Sequence, residues 1–191
     1  MVDQLADEYA GDPVVFIEYD VDNPAGNRIS RWWAAWGSGG SVYLPLIMVD
    51  SGDQISNGSV AFLQRYRNMV DAALQRPAAA KLEVERERVG NSLHFEIALT
   101  NASGVTLGSA NNAALHVIVY EEAHVGDTGR WVRSATFRSI SNLAQGETAS
   151  FSVEITPQGV VNWDKVHSIV LADYRPGGAS GAYDMLQSVH E

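Results

Sequence analysis

Pro77 marks the point where the hydrophobic period of this chain changes. Before it, Val60, Leu63, Tyr66, Met69, Val70, Ala73 and Leu74 recur at i, i+3 and i+4, which predicts an amphipathic helix from Ser59 to Arg76. Proline cannot donate a backbone hydrogen bond and ends that helix. After it the period becomes two. Leu82 and Val84 alternate with Glu83, Glu85 and Glu87, and Leu93, Phe95, Ile97 and Leu99 with His94, Glu96 and Ala98. The same pattern returns at 115–120, 131–138, 151–156, 166–172 and 183–189, with Gly- and Asn-rich turns between most of the runs. Seven short strands, each with one wet face, predict a β-sandwich over 78–191.

Residues 1–77 read differently. Val2, Leu5, Ala6 and Tyr9 have helical spacing, and Val14-Val15-Phe16-Ile17 reads as a buried strand. Arg28 to Trp36 is a helix with Ile29, Trp32, Trp33 and Trp36 along one side, stopped by Gly37-Ser38-Gly39-Gly40. Val42 to Val49 is the central strand. It turns at Asp50-Ser51-Gly52-Asp53 into a short return strand, Gln54-Ile55-Ser56. The connector Ala78-Ala79-Ala80 is short, so the two parts are expected to touch.

Composition excludes whole classes of chemistry. The chain has no cysteine among its 191 residues, which removes disulfides, thiol nucleophiles and thiolate metal sites. A formal net charge of -10 argues against a nucleic-acid partner, because no basic surface exists to displace counterions from phosphates. No apolar run approaches the length of a transmembrane helix. Met1-Val2-Asp3-Gln4-Leu5 lacks the basic and apolar regions of a signal peptide.

The order strand, helix, strand with Pro45, tight turn, short strand and closing helix resembles a thioredoxin-like fold over residues 1–76. Pro45 stands where that fold places the cis-proline beside its active site. The resemblance implies a peptide-binding role for Pro45 without redox chemistry, since the Cys-x-x-Cys helix and first strand are missing. Asn162-Trp163-Asp164, Ser168 to Tyr174 and Asp184 to Val189 resemble the end of a bacterial family. Its exported or outer-membrane-associated members join a thioredoxin-like domain to an immunoglobulin-like sandwich. That resemblance implies a location in the cell envelope or outside the cell.

The densest candidate binding surface is Trp32, Trp33 and Trp36 with Arg28 and Arg31 beside them, and Pro45 completes the set. Indole rings on a helix flanked by glycines suit a protein or glycan ligand, or a homodimer contact. The plainer role puts Trp32 and Trp36 in the core or against the sandwich and leaves Trp33 half exposed. Asp20-x-Asp22-Asn23-x-x-Gly26-Asn27 has the oxygen-rich look of a calcium loop. However, its sixth position is Ala25 and its twelfth is Arg31, where an EF-hand needs Gly and Glu. The five histidines are scattered, and no Gly-x-Ser-x-Gly elbow or phosphate loop is present.

These readings predict an α+β two-domain chain: a partial thioredoxin-like α/β unit at 1–77, then an immunoglobulin-like β-sandwich at 78–191. The expected function is a non-catalytic binding or structural module of the bacterial envelope, with no catalytic residues, no metal and no cofactor. The alternative is a fragment or homologue of a thioredoxin-like oxidoreductase whose redox motif is absent from this chain.

Overall fold

The computed structural model describes residues 2–19, 28–37, 43, 45–58, 62–123, 129–178 and 180–191, without the side chains of 29, 30 and 32. The helices are α1 (Val2–Glu8), α2 (Ile29–Trp36) and α3 (Phe62–Leu74). The strands are β1 (Leu46–Val49), β2 (Gln54–Asn57), β3 (Ala80–Val89), β4 (Ser92–Asn101), β5 (Ala114–Glu121), β6 (Trp131–Ser139), β7 (Thr148–Ile155), β8 (Val166–Tyr174) and β9 (Asp184–His190). They form three antiparallel sheets. β1 pairs with β2, the order β3-β4-β7 makes a second sheet, and β6-β5-β8-β9 makes the third.

The main core lies between the two larger sheets. Leu93, Phe95, Ile97 and Leu99 of β4 face Leu115, Val117 and Val119 of β5, with Val153, Val170 and Leu186 completing the layer. Period-two alternation puts every one of these on an inner face. The second face of the four-stranded sheet is also covered. Ile118, Tyr120, Val132, Ile169 and Leu171 form a second cluster there, and Val15, Ile17 and Tyr19 pack against it. As a result β5 is buried along all eight residues.

Residues 14–19 act as a bridge between cores. In an extended segment side chains alternate, so Val15, Ile17 and Tyr19 face the sheet while Phe16 points to a third cluster. That cluster is built on Leu5, Tyr66 and Met69, with Ile47 and Val49 of β1 beside them. One parallel bridge, Glu18 to Trp131, fastens the segment to the β6 edge. There the Glu18 N–H donates to the Arg130 carbonyl at 3.1 Å and the Val132 N–H to the Glu18 carbonyl at 3.3 Å. The Glu18 carboxylate also accepts the Gly129 N–H at 2.7 Å.

This architecture overturns the expected fold class. The chain is β-rich, and no thioredoxin-like α/β unit is present among the described residues. β1 and β2 are four residues each and, among the described residues, pair only with each other, antiparallel. The apolar run 14–17, expected as a sheet strand, lies across a sheet as its cover. A short apolar run has the same composition in either place, so its period could not separate them. The immunoglobulin-like expectation is likewise unsupported. It assumed strands with one wet face, whereas β5 and most of β8 are buried on both. The seven later strands themselves fall where the alternation puts them.

Candidate functional site

The candidate surface is built on α2, and the helix has two unlike sides. At 100° per residue, Arg28, Arg31 and Ala35 share one side and Trp33 lies nearly opposite. The first side is buried at the junction with the four-stranded sheet. Asp173, at the end of β8, has no exposed surface and receives both arginines. Arg28 Nη1 donates to its Oδ2 at 3.0 Å. Arg31 binds it in a fork, Nε to Oδ2 at 3.0 Å and Nη2 to Oδ1 at 2.8 Å. This bidentate geometry is the strongest that a carboxylate and a guanidinium adopt.

The rest of the junction supplies further partners. Arg28 Nη1 also reaches Ser51 Oγ at 3.1 Å, and its Nη2 donates to the Asp50 carbonyl at 3.1 Å. The Arg31 guanidinium stacks 4.0 Å from the centroid of the Tyr183 ring. His116 of β5 lies 3.1 Å from Asp173 Oδ1 through Nε2. Burial lowers the His116 pKa, reinforced by the two arginine charges and outweighing the pull of Asp173. The ring is therefore neutral at pH 7, and its Nε2–H donates to the carboxylate. Burial alone would raise the Asp173 pKa. The hydrogen bonds from His116 and Arg31 and the Arg28 charge outweigh that and hold it well below the usual carboxylate range.

The hairpin turn between β1 and β2 closes over the same side of α2. Gly52 (φ 115°) comes so close that an added Cβ would lie 2.7 Å from Ala35 Cβ. Nearby, Arg76 gathers Asp50 at 2.8 Å, Asp53 at 3.6 Å and Asp184. Burial raises the Asp50 pKa despite that arginine. The α3 terminus, the hairpin and β9 are thereby tied together.

The other side of α2 is open. Trp33 is 57% exposed. Trp36 is half-buried, and its indole nitrogen is enclosed without a hydrogen-bond partner. The Trp32 side chain lies outside the description. Pro45 is exposed just before β1, where its carbonyl accepts the Gly58 N–H at 3.4 Å. The structure thus brings Arg28 and Arg31 together as a junction, sets Trp33 towards solvent, and keeps Pro45 in the hairpin. Asp173, His116, Ser51 and Tyr183 were missed from the sequence. The only available signal was a charged residue, Asp173, directly after the apolar run of β8.

Asp20, Asp22, Asn23, Gly26 and Asn27 of the suggested calcium loop lie outside the described residues. Among those described, no three His, Asp or Glu side chains are grouped to hold a metal ion. No helix there is long and apolar enough to cross a membrane.

No protein-family model matches the chain, and no curated protein does. Among solved structures, a domain of the outer membrane lipoprotein Omp28 from Porphyromonas gingivalis is similar at 10% identity and TM-score 0.37. The match covers 60% of this chain and 88% of that one. β-Glucosidase 3B from Thermotoga neapolitana matches at 11% identity and TM-score 0.34, over 59% of this chain and 16% of that one. OgpA from Akkermansia muciniphila matches at 13% and 0.35, over 61% and 28%. The chain therefore spans most of the first but under a third of the other two. Likeness at these scores carries no family, activity or ligand to this chain.

Proposed function

We propose that this chain is a non-catalytic binding module of the bacterial cell envelope, with a recognition surface centred on Trp33 that takes a protein partner. One observation carries the reading. Trp33 stands exposed on a helix whose opposite side is pinned by Arg28 and Arg31 into the buried Asp173. A large ring on a rigid support loses little freedom on binding, and such rings usually supply most of an interface's energy. The buried ionisable groups at this junction are hydrogen-bonded to one another, which suits a clamp rather than a reactive centre. The envelope location is part of the proposal and rests on the resemblance of the closing segments. A thioredoxin-like oxidoreductase is not retained: the chain has no cysteine, and the described residues hold no such unit.

A photo-crosslinker at position 33, exposed to solubilised bacterial envelope proteins, identifies the partner or reveals a second copy of this chain. The purified partner is then titrated against wild type and Trp33→Ala. The reading predicts about 30-fold weaker binding for the variant, equivalent to about 2 kcal/mol, with an unchanged melting temperature. Equal affinity, or adducts with glycan alone, overturns it.

A further inference from the structure

A second surface lies at the far end of the strands. β5 and β8 pair Ala114 with Asp173 at one end and Glu121 with Val166 at the other, a separation of about 20–25 Å at strand rise. Beyond Glu121, the β3–β4 turn and the loop from β7 to β8 border a half-open cleft of about 270 Å³. Its polar lining is Asn91, Thr156 and Gln158, and its apolar lining Pro157, Val160 and Trp163.

The loop is held in place by a costly device. Glu121 is fully buried, and its carboxylate accepts the Val161 N–H at 3.1 Å and the Asn162 N–H at 2.5 Å. Arg133 neutralises it, donating from Nε to Oε2 at 2.7 Å. Burying a carboxylate costs several kcal/mol unless it is paired and hydrogen-bonded; here it is both, and its unpaired capacity goes to the loop backbone. Further bonds stiffen the walls. Ser92 Oγ and Thr156 Oγ1 lie 2.8 Å apart, Gln158 Nε2 donates to the Thr156 carbonyl at 3.1 Å, and Asn162 Oδ1 accepts the Asp164 N–H at 3.0 Å. The Trp163 ring is fixed by Arg88, whose guanidinium carbon stands 3.9 Å from its centroid. Despite this support, the loop projects Val161 into solvent at 81% exposure. A rigid loop that displays an apolar side chain beside a polar cleft has the preorganisation of a binding site.

The lining selects the ligand. It contains amides, a hydroxyl and an indole, and the guanidinium beside it, Arg88, is engaged on the Trp163 ring, which disfavours an anion or a cation. The part of the Trp163 indole that Arg88 and the core leave uncovered, with the amide and hydroxyl groups beside it, matches a ring that has apolar C–H faces and hydroxyl edges. The volume falls just below the roughly 300–1,000 Å³ of sites for drug-sized molecules, so one ring fits. We propose that this cleft is a subsite for a single neutral sugar ring, such as the terminal residue of a glycan. Val161 forms an apolar rim for the next residue. This surface is separate from Trp33, and the two readings stand or fall independently.

Amide-correlation NMR of the full chain tests it, with glucose, galactose, mannose, N-acetylglucosamine and inorganic phosphate as separate probes. Saturable shifts of the Asn91 and Gln158 side-chain amides and the Trp163 indole N–H are expected with at least one sugar, at a Kd on the order of 1–10 mM. The double variant Asn91→Ala/Gln158→Ala alters exposed side chains and keeps the fold. It should bind at least about tenfold more weakly. The proposal fails if none of the four sugars gives a saturable shift, if only phosphate does, or if the double variant binds as wild type does.

Discussion

Arg31 and Asp173 are 142 positions apart in sequence, yet they meet as a two-bond fork with Asp173 wholly enclosed. This pair and Arg28 join α2 to the sheet face, so the helix and the later strands share one electrostatic anchor. Removing the carboxylate leaves two buried guanidinium groups without their counter-charge. Asp173→Ala should therefore cost about 3–5 kcal/mol in chemical denaturation. The double variant with Arg31→Met should cost less than the sum of the two singles, because neighbouring members of one network couple. Additive losses would show that the pair is energetically idle.

The junction also sets how stability depends on pH. His116 has a folded pKa below its unfolded value of about 6.5. The unfolded chain thus binds its proton first, and stability falls as pH drops below about 6.5 until the folded pKa is reached. Asp173 is held below its unfolded value of about 3.9, so its contribution is complete above that pH and is lost as pH falls towards the folded pKa. Urea midpoints measured from pH 7 to pH 3 should decline in two stages. His116→Gln should shrink the upper stage and leave the lower one; what remains of the upper stage belongs to His190, whose pKa burial also lowers.

Covering the outer face of the four-stranded sheet is the work of residues 14–19 and 28–36. A chain beginning at residue 78 would expose Ile118, Tyr120, Ile169 and Leu171 together with an Asp173 that has lost both arginines and keeps only His116. It should bind a hydrophobic dye and self-associate, which sedimentation would detect. A monodisperse, dye-negative 78–191 fragment would mean that the cover is dispensable.

Exposure separates the aromatic residues of the N-terminal part. Trp33→Ala should shift stability by no more than about 0.5 kcal/mol, since most of the ring is already in water. Tyr66→Ala removes a ring at the centre of the third cluster and should cost about 3–5 kcal/mol. Thermal melts of the two variants side by side decide the matter.

Glu121→Gln keeps the shape of the buried side chain but removes the charge facing Arg133 and weakens the acceptor for Val161 and Asn162. The folded pKa of Glu121 is lowered: burial opposes the shift, but the backbone bonds from Asn162 and Val161 and the pairing with Arg133 prevail. Its contribution is present above an unfolded pKa of about 4.3 and is lost as pH falls towards the folded value. In the variant, hydrogen exchange at Val161 and Asn162 should accelerate at pH 7 while β4 exchanges at the wild-type rate.

The sequence alone determined the elements whose side chains repeat with a clear period. The strands from β3 to β9, the helix α3 ending before Pro77, and the α2 segment stopped at Gly37 are local patterns that burial and turn chemistry impose on the chain. It also excluded thiol chemistry, through the absence of cysteine. Tertiary structure alone decided which faces are covered and by what. The run Val14–Ile17 is equally apolar as a sheet strand or as a sheet's cover, and only its packing on Ile118 and Leu171 distinguishes them. His116 and Asp173 sit in strands whose alternation assigns them to an outer face. That face is dry because α2, from a distant part of the sequence, brings Arg28 and Arg31 onto it. Periodicity specifies the direction of a side chain relative to its own strand. Whether water or another element waits there depends on contacts across more than a hundred residues, which no local pattern encodes.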